Sequence, residues 1–277
     1  MALNDLKHIH LGDNILSEKV SEGQLVSKLK SESGKGQMAM RQIIDGVYIV
    51  FSDFNLEKCD SQLRVDTEVL CIDHCREGRI EHALPNGIYS YISDGDLRVD
   101  NRKSHCSSFS MPLSHYSGIT IAFFLDTAEK SIAEAMPGFP VNLRKLYEKY
   151  CPDTDPFILR AESQIEHIFS ELYRVPAEIK DYYYRIKVFE LLLYLDALNI
   201  ESFEQKRPYF YKSQVEKVKA IAQLITKEPD SHYTLEELST RFNIPQTAMK
   251  LCFKGVFGSS IYSYDEAPML NFAHVTG

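Results

Sequence analysis

The chain has 277 residues, 44% of them hydrophobic and 25% charged, with a formal net charge of −8 at pH 7. This is the composition of a globular protein long enough for two domains, and in so acidic a chain any nucleic-acid contact has to come from a locally basic surface. No tract is apolar enough to span a membrane and the N-terminus MALNDLKHIH has no hydrophobic signal core, so a cytoplasmic protein without a membrane partner is expected.

In chain order, residues from about Val47 to Asp126 read as β structure. The tracts VYIVF, LRVDTEVLCIDHC, GIYSYI, DLRVD and GITIAFF are separated by turn signals, among them Asn86-Gly87 and Asp94-Gly95. Short strands this close together predict a small barrel or sandwich. From Ala128 the apolar spacing becomes helical, over Ala128 to Met136, Leu143 to Tyr150, Phe157 to Tyr173 and Ile179 to Leu198. The last two carry the stripes Ile158, Ile165, Ile168, Phe169, Leu172 and Tyr182, Ile186, Phe189, Leu192, Leu193, and pair around Pro176. Such a hairpin offers more apolar surface than it can bury internally, which predicts a homodimer. The polar, Pro-containing stretch Glu201 to Lys212 reads as a linker.

Beyond the linker, Ser213 and Glu216 have capping-box spacing, and Val215, Val218, Ile221, Ala222 and Ile225 make the buried stripe of a helix. Thr234 caps the next helix, with Glu237 placed to close its box and Leu235, Leu238 and Phe242 along one side. Asn243-Ile244-Pro245 then forces a turn, because the residue before a proline avoids the helical region whereas proline itself starts a helix well. From Gln246 to Phe257, the residues Met249, Phe253, Val256 and Phe257 recur at helical spacing, and Gly258 ends the helix. Gln246, Thr247, Lys250 and Lys254 are left for another surface, and no acidic residue interrupts Arg241 to Ser260. This is a helix-turn-helix pattern, in which residues near the start of the second helix read base edges and cations meet phosphates. Gln246, Thr247, Lys250, Lys254 and Arg241 are the candidate contacts to double-stranded DNA.

Thr234 to Tyr264 resembles the first half of the DNA-binding domain of AraC-type transcriptional regulators. The capped helix is Thr234 to Phe242, the turn Asn243 to Pro245, and the family's second helix and closing motif are Met249 to Lys254 and Val256 to Tyr264. The CREGRIEH run, Cys75 to His82, followed by GIYSYISDGDL, resembles the cupin-like effector domain of a subgroup of these regulators. The resemblance implies an α+β protein in which residues 1–200 form a cupin-like β-barrel with a helical dimerisation hairpin, 201–212 a linker, 213–264 an all-α helix-turn-helix unit and 265–277 an atypical tail. The barrel between Val47 and Asp126 offers a concave apolar interior without a catalytic set, so an unknown small-molecule effector is expected there, and no cofactor. The family continues after its final tyrosine with a linker helix and a second helix-turn-helix, where this chain reads Asp265, Glu266, Ala267, Pro268, and Pro268 breaks such a helix. A truncated reader is therefore expected. The alternative is a dimerisation fragment that does not bind DNA and interferes with full-length relatives.

A cupin-like barrel can also house a metal, which asks for an H-x-H pair with a nearby Glu. The H-x-H here, His8-Ile9-His10, lies outside the barrel tracts, and His74, His82, His105 and His115 are scattered. Cys71 and Cys75 beside His74 lack the second pair that zinc wants. The nucleophile-elbow, P-loop and dinucleotide-binding motifs are missing. No catalytic residue or metal ligand is assigned, and a cupin metalloenzyme is the weakest reading. The six cysteines, Cys59, Cys71, Cys75, Cys106, Cys151 and Cys252, lack framework spacing and are expected as free thiols. Arg76, Glu77 and Arg79 read equally as a solvated strand-edge cluster or as ligand contacts.

Overall fold

A computed structural model describes residues 5, 8–12, 15–21, 24–84, 87–103, 108–153, 155–160, 162–200 and 209–266. The first elements are β1 (Ile9–His10), β2 (Ile15–Ser21), β3 (Gln24–Ser31), β4 (Gly34–Ile44), β5 (Val47–Asn55), β6 (Lys58–Asp60), β7 (Arg64–Val65) and β8 (Val69–Leu84). There follow β9 (Ile88–Ser93), β10 (Leu97–Asp100), β11 (Ser108–Ser110), β12 (Tyr116–Phe124), α1 (Leu125–Ala135), α2 (Leu143–Tyr150), β13 (Phe157–Leu159), α3 (Ser163–Leu172) and α4 (Lys180–Ala197). The chain ends with β14 (Phe210–Tyr211), α5 (Lys212–Lys227), α6 (Leu235–Arg241), α7 (Gln246–Phe257) and α8 (Ile261–Glu266). Two compact units result: Met1–Ile80 with Ile92–Lys206, and Glu81–Tyr91 with Arg207–Gly277. The chain thus enters the second unit twice.

The first unit is built on an antiparallel path in the order β13-β10-β8-β12-β5-β4-β3-β2. Among the described residues this path does not return on itself, so an open sheet stands where a closed cupin-like barrel was expected. Closure needs the two end strands to pair with the right stagger, but β13 pairs with β10 and β2 with β3. The sheet also starts before Val47. In β3, Ser27 and Leu29 are buried while Lys28 and Lys30 are exposed, an alternation hidden by poor strand formers. Pairing along β4 and β5 supplies the backbone partners that propensity did not announce.

Strand alternation divides this sheet into two unlike faces. Val47 and Ile49, Leu70 and Ile72, Leu97 and Val99, and Ile119, Ile121 and Phe123 join one core with α1 to α4. The intervening residues of β8, β10 and β12 include the polar Asp73, Arg98, Asp100 and Thr120, and elsewhere in the unit Phe54, Leu56, Met111 and Tyr116 form a separate apolar cluster. Arg102 donates to both Asp73 oxygens at 2.6 and 2.8 Å and to Asp100 at 3.2 Å. Thr120 donates to Asp73 at 2.6 Å, and Arg98 pairs with Asp100. Burial pushes the Asp73 carboxyl up, but the Arg102 charge and hydrogen bonds outweigh it and hold it at about 2.

The helices follow their apolar spacing with three changes. First, α1 begins at Leu125 rather than Ala128. The segment expected as one helix from Phe157 divides, because Phe157–Leu159 pair with β10 as a strand and the helix starts at Ser163. Ile158 therefore belongs to a strand, while Ile165, Ile168, Phe169 and Leu172 are buried as expected. In α4 the buried residues are Tyr184, Lys187, Val188, Phe189, Leu191, Leu192 and Leu195, whereas Tyr182, Ile186 and Leu193 of the expected stripe are exposed. This helix is apolar on two sides, so periodicity alone had no means of choosing which one meets the core.

Replacing Asp73 with Ala leaves Arg102 with Asp100 alone and takes from Thr120 the carboxylate it donates to, and the expected loss in denaturant melts at neutral pH is about 1–3 kcal/mol. A carboxyl held at about 2 contributes stability that is complete above its unfolded value of about 3.9 and fades as pH falls towards the folded one. Acid unfolding of the Asp73→Ala variant should accordingly be less steep in that window than that of the parent.

Candidate nucleic-acid interface

The second unit is organised by the core stripe of α5, in which Val215, Val218, Ile221, Ala222 and Ile225 are all buried. The capping box expected at Ser213 does not form. Tyr211 is paired with Ile88 in the ladder between β14 and β9, so the chain passes directly from strand into helix at Lys212 without a side-chain cap. The box at α6 does form: the Thr234 hydroxyl accepts from Glu237 N–H at 3.2 Å, and the Glu237 carboxylate accepts from Thr234 N–H at 2.8 Å. That bond to the backbone amide holds the Glu237 carboxyl below its usual range.

After α6 the chain reverses through Asn243, whose φ of 46° is left-handed and therefore suited to Asn. Ile244 is buried, its N–H donates to Ser239 O at 3.1 Å, and the Ser239 hydroxyl donates to Ile244 O at 2.7 Å. Lys217 of α5 donates to Asn243 O at 2.6 Å, tying the turn to the first helix of the unit. Pro245 then stands in extended conformation before α7 and its carbonyl accepts from Met249. Gly258 ends α7 with a φ of 80°.

On α7, Met249, Cys252, Phe253, Val256 and Phe257 are buried, and the Phe253, Phe257 and Tyr264 rings pack together at 4.7 to 5.4 Å. Gln246, Thr247, Lys250 and Lys254 are all exposed, and their spacing puts them on the opposite side of the helix. Arg241 stands apart from them. It lies in the last turn of α6, its guanidinium 5.8 Å from the Tyr233 ring and 6.0 Å from that of Phe242. Leu251 is 64% exposed beside Lys250. Its signal lay in the period: it falls off the stripe that Met249 and Phe253 define.

A second group of residues braces this unit, two of them, Glu81 and Tyr91, from the CREGRIEH and GIYSYISDGDL segments. Lys219 of α5 pairs with Glu81 at 2.7 Å, and Tyr91 donates to Glu81 at 2.5 Å. Phe210 packs 6.0 Å from the Tyr91 ring and lies directly against Gly255, where a Cβ would fall 2.2 Å from its ring edge. A glycine inside a helix costs about 1 kcal/mol relative to alanine, so Gly255 is explained by the room Phe210 needs.

Among the described residues, no three His, Cys, Asp or Glu side chains gather as a metal site; His105 and Cys106 lie outside those residues. Cys59, Cys71, Cys75, Cys151 and Cys252 are free and buried, and burial pushes the Cys71 thiol up to about 12. No helix among the described residues is long and apolar enough to cross a membrane.

The geometry of the second unit is that of a helix-turn-helix. No protein-family model matches the sequence, and neither does any curated protein. Among solved structures, an apo variant of ToxT from Vibrio cholerae is 11% identical, with 80% of this chain and 97% of that one covered at a TM-score of 0.35. Wild-type ToxT from Vibrio cholerae bound to an unsaturated fatty acid is 8% identical, covering 81% and 95% at 0.30. A vicilin from Capsicum annuum is 11% identical, covering 61% and 51% at 0.20. Likenesses this slight carry no argument about function.

Gly255→Ala should destabilise the second unit by about 1–3 kcal/mol through overpacking, despite the gain in helix propensity. Combining it with Phe210→Leu should recover part of that loss. The check is a double-mutant cycle in denaturant.

Proposed function

We propose that this protein is a sequence-specific transcriptional regulator of the AraC type, cytoplasmic, which binds double-stranded DNA through α7 and responds to a small-molecule effector. In this reading the first unit senses the effector and dimerises and the second reads DNA, the expected linker of 201–212 being cut short because Phe210 and Tyr211 form β14 and Lys212 starts α5. One observation carries it: α7 presents Gln246, Thr247, Lys250 and Lys254 on a single exposed face, in a stretch from Arg241 to Ser260 that holds no acidic residue. A helix with amide and hydroxyl groups near its start and cations further along has the donors that base edges and phosphates accept. Leu251 adds an apolar group suited to a thymine methyl.

The test begins by selecting a preferred duplex from a random pool with the purified chain, then measuring anisotropy across a salt series. Lys250→Ala and Lys254→Ala should weaken every duplex alike and each lower the salt slope by about 1. Gln246→Ala should instead relax discrimination at one base pair by about 1–3 kcal/mol. Absence of any selected sequence, or binding unchanged in all three variants, would overturn the reading.

The exposed face of α4 supports a homodimer. Tyr182, Ile186 and Leu193 are 72%, 62% and 46% exposed on one side of a helix whose other side is core, and an exposed apolar stripe of this kind marks an association surface. Ile186→Glu and Leu193→Glu should yield folded monomers by sedimentation. Phe189→Glu should unfold the first unit instead, since Phe189 is buried edge-on against Phe139 at 4.8 Å.

A further inference from the structure

The first unit contains a cavity of about 460 Å³ on the helix-covered face of the sheet, lined by His74 and Arg76 of β8, by Glu166, Ser170 and Glu171 of α3, by residues 173 to 176 and by Tyr183 of α4. This is not the interior in which an effector was expected, and it differs from that interior in chemistry. His74 is 1% exposed and stacked on Phe169 at 4.3 Å, yet neither of its ring nitrogens has a hydrogen-bond partner among the described residues. Its Nε2 is 3.5 Å from the Glu166 carboxylate, a contact at the outer limit of hydrogen bonding. The Tyr173 hydroxyl is likewise buried and unpartnered. Buried polar atoms are costly to leave unpaired, so a ligand that pairs them is favoured.

The backbone directs a cation to the same place. Opposite Ser117 and Gly118, β8 holds one residue more than β12, and that extra residue is Arg76. Bulges of this kind re-aim side chains beside functional sites. The Arg76 guanidinium lies 4.6 Å from the Tyr173 ring, and among the described residues no carboxylate pairs with it or with Arg174. The Glu171 carboxylate in the lining is already matched by Lys187 and by the Tyr183 hydroxyl. Two uncompensated guanidinium groups attract an anion. The nearby Glu166 disfavours a multiply charged one, while the rings of Tyr173 and Tyr183 with Val175 and Pro176 suit a compact planar body.

We propose that this cavity binds a small ring-bearing monocarboxylate, its carboxylate held by Arg76 and Arg174 and accepting from the Tyr173 hydroxyl and the His74 ring, its body lying against Val175, Pro176 and Tyr183. The regulatory meaning of such a site rests on the proposed function; occupancy is measured without DNA, so either reading can fail alone. The experiment titrates the full chain, carrying isotope-labelled histidine, with phenylacetate and in parallel with its neutral isostere phenylacetamide. The ring signals of His74 are assigned through His74→Phe, which keeps the stack on Phe169. Phenylacetate should shift those signals saturably, phenylacetamide should bind at least about tenfold more weakly, and Arg76→Gln should weaken phenylacetate about tenfold while leaving the amide unchanged. Arg76 is exposed, so that variant remains informative if His74→Phe does not fold. No shift at His74 up to the solubility limit, equal affinity for acid and amide, or indifference to Arg76→Gln would each overturn the proposal.

Discussion

Burial of one face of the antiparallel sheet beneath α1 to α4 is the constraint on which the rest of the first unit depends. Each fully buried Leu, Ile or Phe on that face contributes about 1.5–3 kcal/mol, and the face supplies many of them from β5, β8, β10 and β12. The ion cluster of Asp73, Arg98, Asp100 and Arg102 on the intervening positions acts differently. Assembling it from solvated ions returns little, whereas breaking it strands a buried charge. The apolar face therefore drives folding, and the ionic residues penalise a one-residue register slip that would exchange the two sets.

The second unit meets a different difficulty, since its helices are short. With seven residues in α6 and six in α8, neither is stable alone in water. Their positions come from burial of Leu238, Ile244 and Ile261 with the stripes of α5 and α7, and from local devices at the ends: the box at Thr234, the left-handed Asn243 and the left-handed Gly258. Under the proposed function rigidity at these ends matters, because a reading helix held loosely has no fixed register against base edges.

Two features of the first unit stand apart from its core packing. The outer face of α4 exposes Tyr182, Ile186 and Leu193 although the same helix buries Val188, Leu191 and Leu195. The cavity at His74 buries an imidazole that burial alone pushes down to about 4, so the ring is neutral at physiological pH and offers one donor and one acceptor. Core packing explains neither.

Local sequence by itself determined the helix-turn-helix: the stripes of α5 and α7, the box at Thr234, the turn before Pro245 and the stop at Gly258 depend on interactions within a few residues, which spacing displays directly. The exposed positions Gln246, Thr247, Lys250 and Lys254 follow from the same period. Tertiary structure decided everything that depends on partners distant in the chain. Strands β2 to β4 exist because β5 offers them an edge, Phe157–Leu159 are extended because β10 pairs with them, and Tyr211 leads straight into α5 because β9 holds it. In the same way Gly255 is legible only beside Phe210, and the openness of the sheet only from which strands pair. The physical reason is that a hydrogen-bonded ladder or a close contact joins residues whose separation along the chain leaves no periodic trace, whereas a helix writes its burial into every third and fourth residue.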